Sequence, residues 1–145
     1  CTPNEIKRYT RKISGPLLDR IDIHVHVPRV KYEDMTSVAK AESSAVIRER
    51  VLAAREIQME RLQEWGIFCN AQMSHAILKK TCTLEPDAQN LLAQAFQVMN
   101  LSARSYDRII KVARTIADLD GAATIEAKHV GEAIQLRDDV GLNVE

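Results

Sequence analysis

Between Leu101 and Asp120 the apolar residues Tyr106, Ile109, Ile110, Ala113, Ile116 and Ala117 recur at helical spacing, with mostly polar residues between them. Ser102 suits an N-cap and Gly121 a stop, so the stretch predicts one long helix with a single buried stripe. Arg104, Arg108 and Lys111 fall on the opposite side of the cylinder and make that face strongly basic. Arg104 lies in the first turn, where a cation opposes the helix dipole and gains nothing locally. Two readings fit such a stripe: a solvated charged face, or a face that meets something outside the helix.

The same patterning, followed from the N-terminus, gives a series of elements. Thr2-Pro3-Asn4-Glu5 has the form of a capping box with proline at the first helical position, which predicts a helix to about Lys12 that Ser14-Gly15-Pro16 breaks. After a tight turn over Leu17 to Arg20, the residues Ile21, Ile23, Val25 and Val27 alternate with Asp22, His24 and His26. That period of two predicts a strand, ended by Pro28. A lone strand cannot satisfy its own ladder, so its sheet is expected elsewhere, in a longer protein of which this chain is a piece. A start at Cys1 in place of Met agrees with that expectation.

Beyond a polar connector, Val30 to Ala41, helices dominate. Glu42-Ser43-Ser44 caps a long one reaching Trp65, with Ile47, Val51, Ala54, Leu62 and Trp65 on its apolar side and Gly66 closing it. Its charges, Arg48, Glu49, Arg50, Arg55, Glu56, Glu60 and Arg61, read as a solvated surface. Ser74 caps a short helix to Lys80. Thr83-Leu84-Glu85-Pro86 opens another, ending at Asn100, with Leu91, Leu92, Ala95, Val98 and Met99 buried. Thr124 caps a last helix to about Arg137, with Ile125, Val130, Ala133 and Ile134 inward, and a loose tail follows. The expected fold is mainly α: a helical bundle preceded by one N-terminal helix and one β-strand.

Composition narrows this picture. Aromatic content is only 4%, so the core is built from aliphatic and small residues, which suits closely packed helices. Twenty basic and twenty acidic residues cancel, so no global field draws the chain to nucleic acid or membrane, and any contact with a polyanion is local. The cysteines Cys1, Cys69 and Cys82 are scattered without a paired spacing, as expected of reduced thiols in a cytoplasmic protein. No apolar run approaches membrane-spanning length.

Candidate chemistry is sparse. His24 and His26 point the same way on a strand but have no third ligand nearby, and Cys69, His75 and Cys82 match no zinc spacing, so no metal site is assigned. No nucleophile elbow, zinc-protease motif or glycine-rich phosphate loop is present, and the chain alone is expected to catalyse nothing. What remains are arginines in unusual settings. Arg20 follows the Gly15-Pro16-Leu17-Leu18 turn and either pairs with Asp19 or Asp22 or projects outward. A projecting guanidinium is a planar, permanently charged fork of the kind that stabilises a phosphoryl group in transfer.

Together GPLLDRIDIHVHVP and LSARSYDRIIKVARTIADL resemble the C-terminal portion of the magnesium-chelatase-like AAA+ ATPases of the ComM/YifB type. The opening CTPNEIKRY, the helix ESSAVIRERVLAAREIQ, the connector NAQM and the closing HVGEAIQLRD fit in the same order. The resemblance implies that residues 1–29 are the end of an α/β nucleotide-binding core, 30–138 a helical lid and 139–145 a tail. It further implies that Arg20 is an arginine finger offered to ATP in the neighbouring subunit, and Arg104 the sensor-2 arginine of the lid. ATP and Mg would be held by the full-length protein, whose Walker motifs lie upstream. Cys1 would be the last member of an upstream cysteine cluster, too incomplete here to claim a metal. The partners implied are neighbouring subunits of a hexameric homo-oligomeric ring and DNA, without a membrane. The implied function is a DNA branch-migration motor in competence; the alternatives are the motor subunit of a magnesium chelatase, or a helical interaction module with no nucleotide role. Steeply salt-dependent DNA binding by the chain itself would favour that module.

Overall fold

The computed structural model describes residues 2, 17, 20–25, 27–30, 32, 35, 41–99 and 101–138. The helix expected up to Lys12, and the tail, lie outside them. The described residues are mainly helical, with helices α1 (Ser44–Leu62), α2 (His75–Thr81), α3 (Pro86–Met99), α4 (Ala103–Leu119) and α5 (Ala127–Asp138).

Capping serines fix three of the starts. Ser43, Ser74 and Ser102 accept the N–H groups of Val46, Ile77 and Ser105, so α1, α2 and α4 each begin with an orphan donor satisfied. After Leu62 the chain tightens into a 3-10 turn, Gln63–Trp65, and Gly66 stops it at φ 65°. A side chain there would strain the backbone, which is why glycine stands at the end of the helix.

Helix α4 is the centre of the bundle. It packs against α1, α2, α5 and a second 3-10 turn, Asn70–Gln72, while α5 also packs on α3. Ile109, Ile110, Ala113 and Ala117 of α4 meet Leu62, Met73, Leu78, Leu92, Ile125 and Val130 in one buried cluster. The rings of Phe96 and Tyr106 meet edge to face at 5.7 Å beside it.

Three expectations need correction. In α1 only Ala54, Gln58 and Leu62 are buried, whereas Ile47 and Val51 remain 42% and 46% exposed. Burial begins only in the half of the helix whose far end is tied to α4 through Arg61 and Asp118. In α3 Val98 is 85% exposed, because it lies off the stripe set by Ala88 and Leu92. Finally, α5 starts two residues later than a cap at Thr124 implied. Ile125 first forms a parallel bridge with Leu84, accepting from Glu85 N–H at 2.9 Å and donating to Thr83 O at 2.8 Å. The helix start is then capped by His129, whose Nδ1 accepts Glu126 N–H at 3.0 Å.

The expected strand 21–27 forms no ladder among the described residues, and Ile21, Ile23, Val25 and Val27 are all exposed. No second strand of this chain faces it among those residues. It docks instead on the last turn of α5, where helix carbonyls lack partners. His24 N–H donates to Leu136 O at 2.7 Å, and His24 Nδ1–H donates to Arg137 O at 3.1 Å.

Candidate phosphate-facing site

Docking residues 22–23 near α4 and α5 leaves a cavity of about 600 Å³ between them. Its floor is apolar, formed by Ile23, Val112, Ile116, Leu119 and Leu136, and its charged lining is Asp22, Arg104, Asp107, Arg108, Lys111 and Glu132. The basic stripe of α4 therefore faces a half-open cavity. Arg104, Arg108 and Lys111 reach it together because their spacing puts them on one side of the helix while the apolar stripe is held in the core.

Their partners differ. Lys111 Nζ donates to Ala71 O at 3.0 Å. Arg108 uses one nitrogen, Nη1, for two contacts: it donates to the backbone carbonyl of Arg20 at 2.6 Å and pairs with the Asp22 carboxylate. Asp107 is paired with His75 at 2.7 Å. Arg104 is exposed and its guanidinium makes no hydrogen bond or ion pair among the described residues.

Arg20 is also exposed. Its backbone N–H closes a tight turn onto Leu17 O at 3.0 Å, and its guanidinium has no ion pair among the described residues. Of the two carboxylates considered for it, Asp22 is engaged by Arg108 and Asp19 lies outside the described residues. Arg20 and Arg104 thus stand on the two elements that flank one cavity. Each is a charged fork without an internal partner there.

A second arginine cluster lies on the far half of α4 and went unread in the sequence. Arg114 is fully buried, with its Nε 3.0 Å from Asp118 and its two terminal nitrogens donating to Ala123 O and Ala122 O. Asp118 is also clasped by Arg61 through two contacts of 2.7 Å and accepts from Asn70 Nδ2 at 2.8 Å. Burial pushes the Arg114 guanidinium down from its ordinary value, and the Asp118 charge opposes that. Arg61, expected on a solvated face, is in fact part of this network. The trace in the sequence was Arg114 itself, four residues after Ile110 and so inside the apolar stripe.

The remaining candidates resolve simply. Cys82 is buried, which pushes its thiol pKa up and keeps it neutral, and Cys69 Sγ lies 3.5 Å from Gln72 Oε1. His24 serves the end of α5, while Cys1 and His26 lie outside the described residues. Among the described residues no group of three His, Cys, Asp or Glu side chains could hold a metal ion. No helix there is long and apolar enough to cross a membrane.

The chain is similar in sequence to known proteins. The family model described as magnesium chelatase, subunit ChlI C-terminal, matches residues 41–137, and that of magnesium chelatase, subunit ChlI, matches residues 1–35. The chain is 39% identical over 137 residues to the competence protein ComM of Haemophilus influenzae. It is 37% identical over 138 residues to the uncharacterized protein YifB of Salmonella typhimurium, and 36% over 138 residues to YifB of Escherichia coli. Each match covers 94% of this chain and 26% of the relative, so the chain spans about a quarter of the length of these curated relatives.

Proposed function

The chain belongs to the magnesium-chelatase-like family that includes ComM and YifB, and from that premise we propose that it is the lid and arginine-finger portion of a ring-forming AAA+ ATPase. The observation that carries this reading is the pair of uncommitted guanidinium groups, Arg20 and Arg104, on the two elements that flank a cavity whose α4 side is basic. Arg104, Arg108 and Lys111 on that side suit a triphosphate, and the neutral net charge of the chain leaves the attraction local.

In this reading Arg104 acts as the sensor-2 arginine, clamping the γ-phosphate of ATP. Arg20 is presented to ATP held at the neighbouring subunit of the ring, where its fork stabilises charge on the phosphoryl group in transfer. ATP and its Mg ion are held chiefly by parts of the longer protein. In the cytoplasm the ring works on DNA, as a branch-migration motor; the support for DNA is the competence name of one relative.

The test is the full-length protein carrying Arg20→Ala. Hydrolysis is expected to fall about a thousandfold or more while ATP still binds. Near-normal turnover in that variant would remove the finger role. A second reading, motor subunit of a magnesium chelatase, is favoured by the family description. ATPase activity stimulated by branched DNA supports the DNA motor; indifference to DNA together with a requirement in magnesium insertion into a porphyrin supports the chelatase.

A further inference from the structure

We propose that Arg108 is a positioning residue that couples α4 to the finger loop, so that nucleotide sensed by Arg104 sets where Arg20 points. This rests on the ATPase reading above and adds to it a route between two sites. Arg108 holds the loop through the peptide of Arg20 itself, donating to its carbonyl at 2.6 Å, and the same nitrogen engages Asp22 two residues on. The finger's side chain is thereby left free while its backbone is fixed from the lid.

Arg104 and Arg108 are separated by four residues, a rise of about 6 Å along one face of a continuous helix. That helix is held rigid beyond them by the buried contacts of Arg114 and Asp118. Any shift of α4 as Arg104 closes on a phosphate therefore moves Arg108, and with it the backbone of Arg20. A finger that serves the neighbouring subunit would in this way report the nucleotide state of its own.

Bland surface pairing predicts something different. The Arg108–Asp22 pair is partly exposed, at 28% and 52%, and pairs of that kind add little to folding stability. Its loss should show in turnover and leave folding and nucleotide affinity nearly alone.

The experiment uses the full-length protein with Arg108→Ala, Arg20→Ala and the double variant, reading kcat, KM for ATP and direct ATP binding. Displacing a catalytic group by about 1 Å can lower turnover about a hundredfold. Arg108→Ala is expected to lower kcat by about ten- to a hundredfold with KM and ATP binding little changed, and Arg108→Lys to restore part of the loss. The double variant should be no worse than Arg20→Ala alone, since Arg108 acts through Arg20. Normal kcat in Arg108→Ala beside an inactive Arg20→Ala overturns the coupling and leaves the ATPase reading standing. Normal kcat in Arg20→Ala removes that reading, and the coupling with it. Should Arg108→Ala fail to fold or assemble, Arg108→Met, which keeps the apolar stem and loses both contacts, is judged by the same outcomes.

Discussion

Arg104 and Arg114 stand on the same helix and meet opposite fates. Arg114 is sealed in the core with every terminal nitrogen engaged, whereas Arg104 opens on a cavity with no partner among the described residues. The difference separates an arginine that builds the fold from one that the fold leaves uncommitted. A buried guanidinium persists only if carboxylate and carbonyls meet its donors. An exposed one has no such need, so its lack of partners leaves it free to meet an incoming anion.

The largest effect expected from breaking this contrast is at the closed end. Asp118→Ala would leave Arg114 buried without its counter-charge and release Arg61 and Asn70, and is expected to destabilise the chain by about 3–5 kcal/mol in denaturant unfolding. A loss below about 1 kcal/mol would mean that water or another acceptor replaces the carboxylate, and the distinction between the two ends would blur. At the open end, Ser102→Ala removes the cap that accepts Ser105 N–H at 3.2 Å, and should cost about 1 kcal/mol, readable as a lowered Tm. Because the cap orders the turn that carries Arg104, nucleotide affinity of the full-length protein should fall with it. Smallest of all, Arg104→Ala should leave stability within about 0.5 kcal/mol of the parent while weakening the response to ATP. A large loss of stability in that variant would show that Arg104 has a structural partner after all.

Much of the fold was legible in the letters. The boundaries of α4 followed from Ser102, Gly121 and the apolar stripe, and the serine caps of α1 and α2 were equally plain. What pattern could not give was partnership over long range. Arg61 looks like any charge on a helix surface until Asp118, on a different helix, claims it. His129 looks like a polar residue in a helix, although its ring caps the helix it belongs to. The alternation of residues 21–27 states a preference for a sheet, but a strand needs a neighbour, and here the segment settles on a helix end. At the open end the sequence marks Arg20 and Arg104 as unusual and leaves to the fold that Arg104 lines a cavity beside the segment that carries Arg20. Arg108 was visible only as one cation in a stripe, since its hold on a backbone carbonyl leaves no mark on the pattern.

The seat of His24 on the final turn of α5 joins positions 113 residues apart. A ribosome releases the segment around His24 long before the helix that anchors it. During synthesis the seat of His24 on α5 can therefore form only after nearly all of the described chain has emerged, later than the hold that Arg108 provides. The final seat of that segment thus depends on an element made well after it.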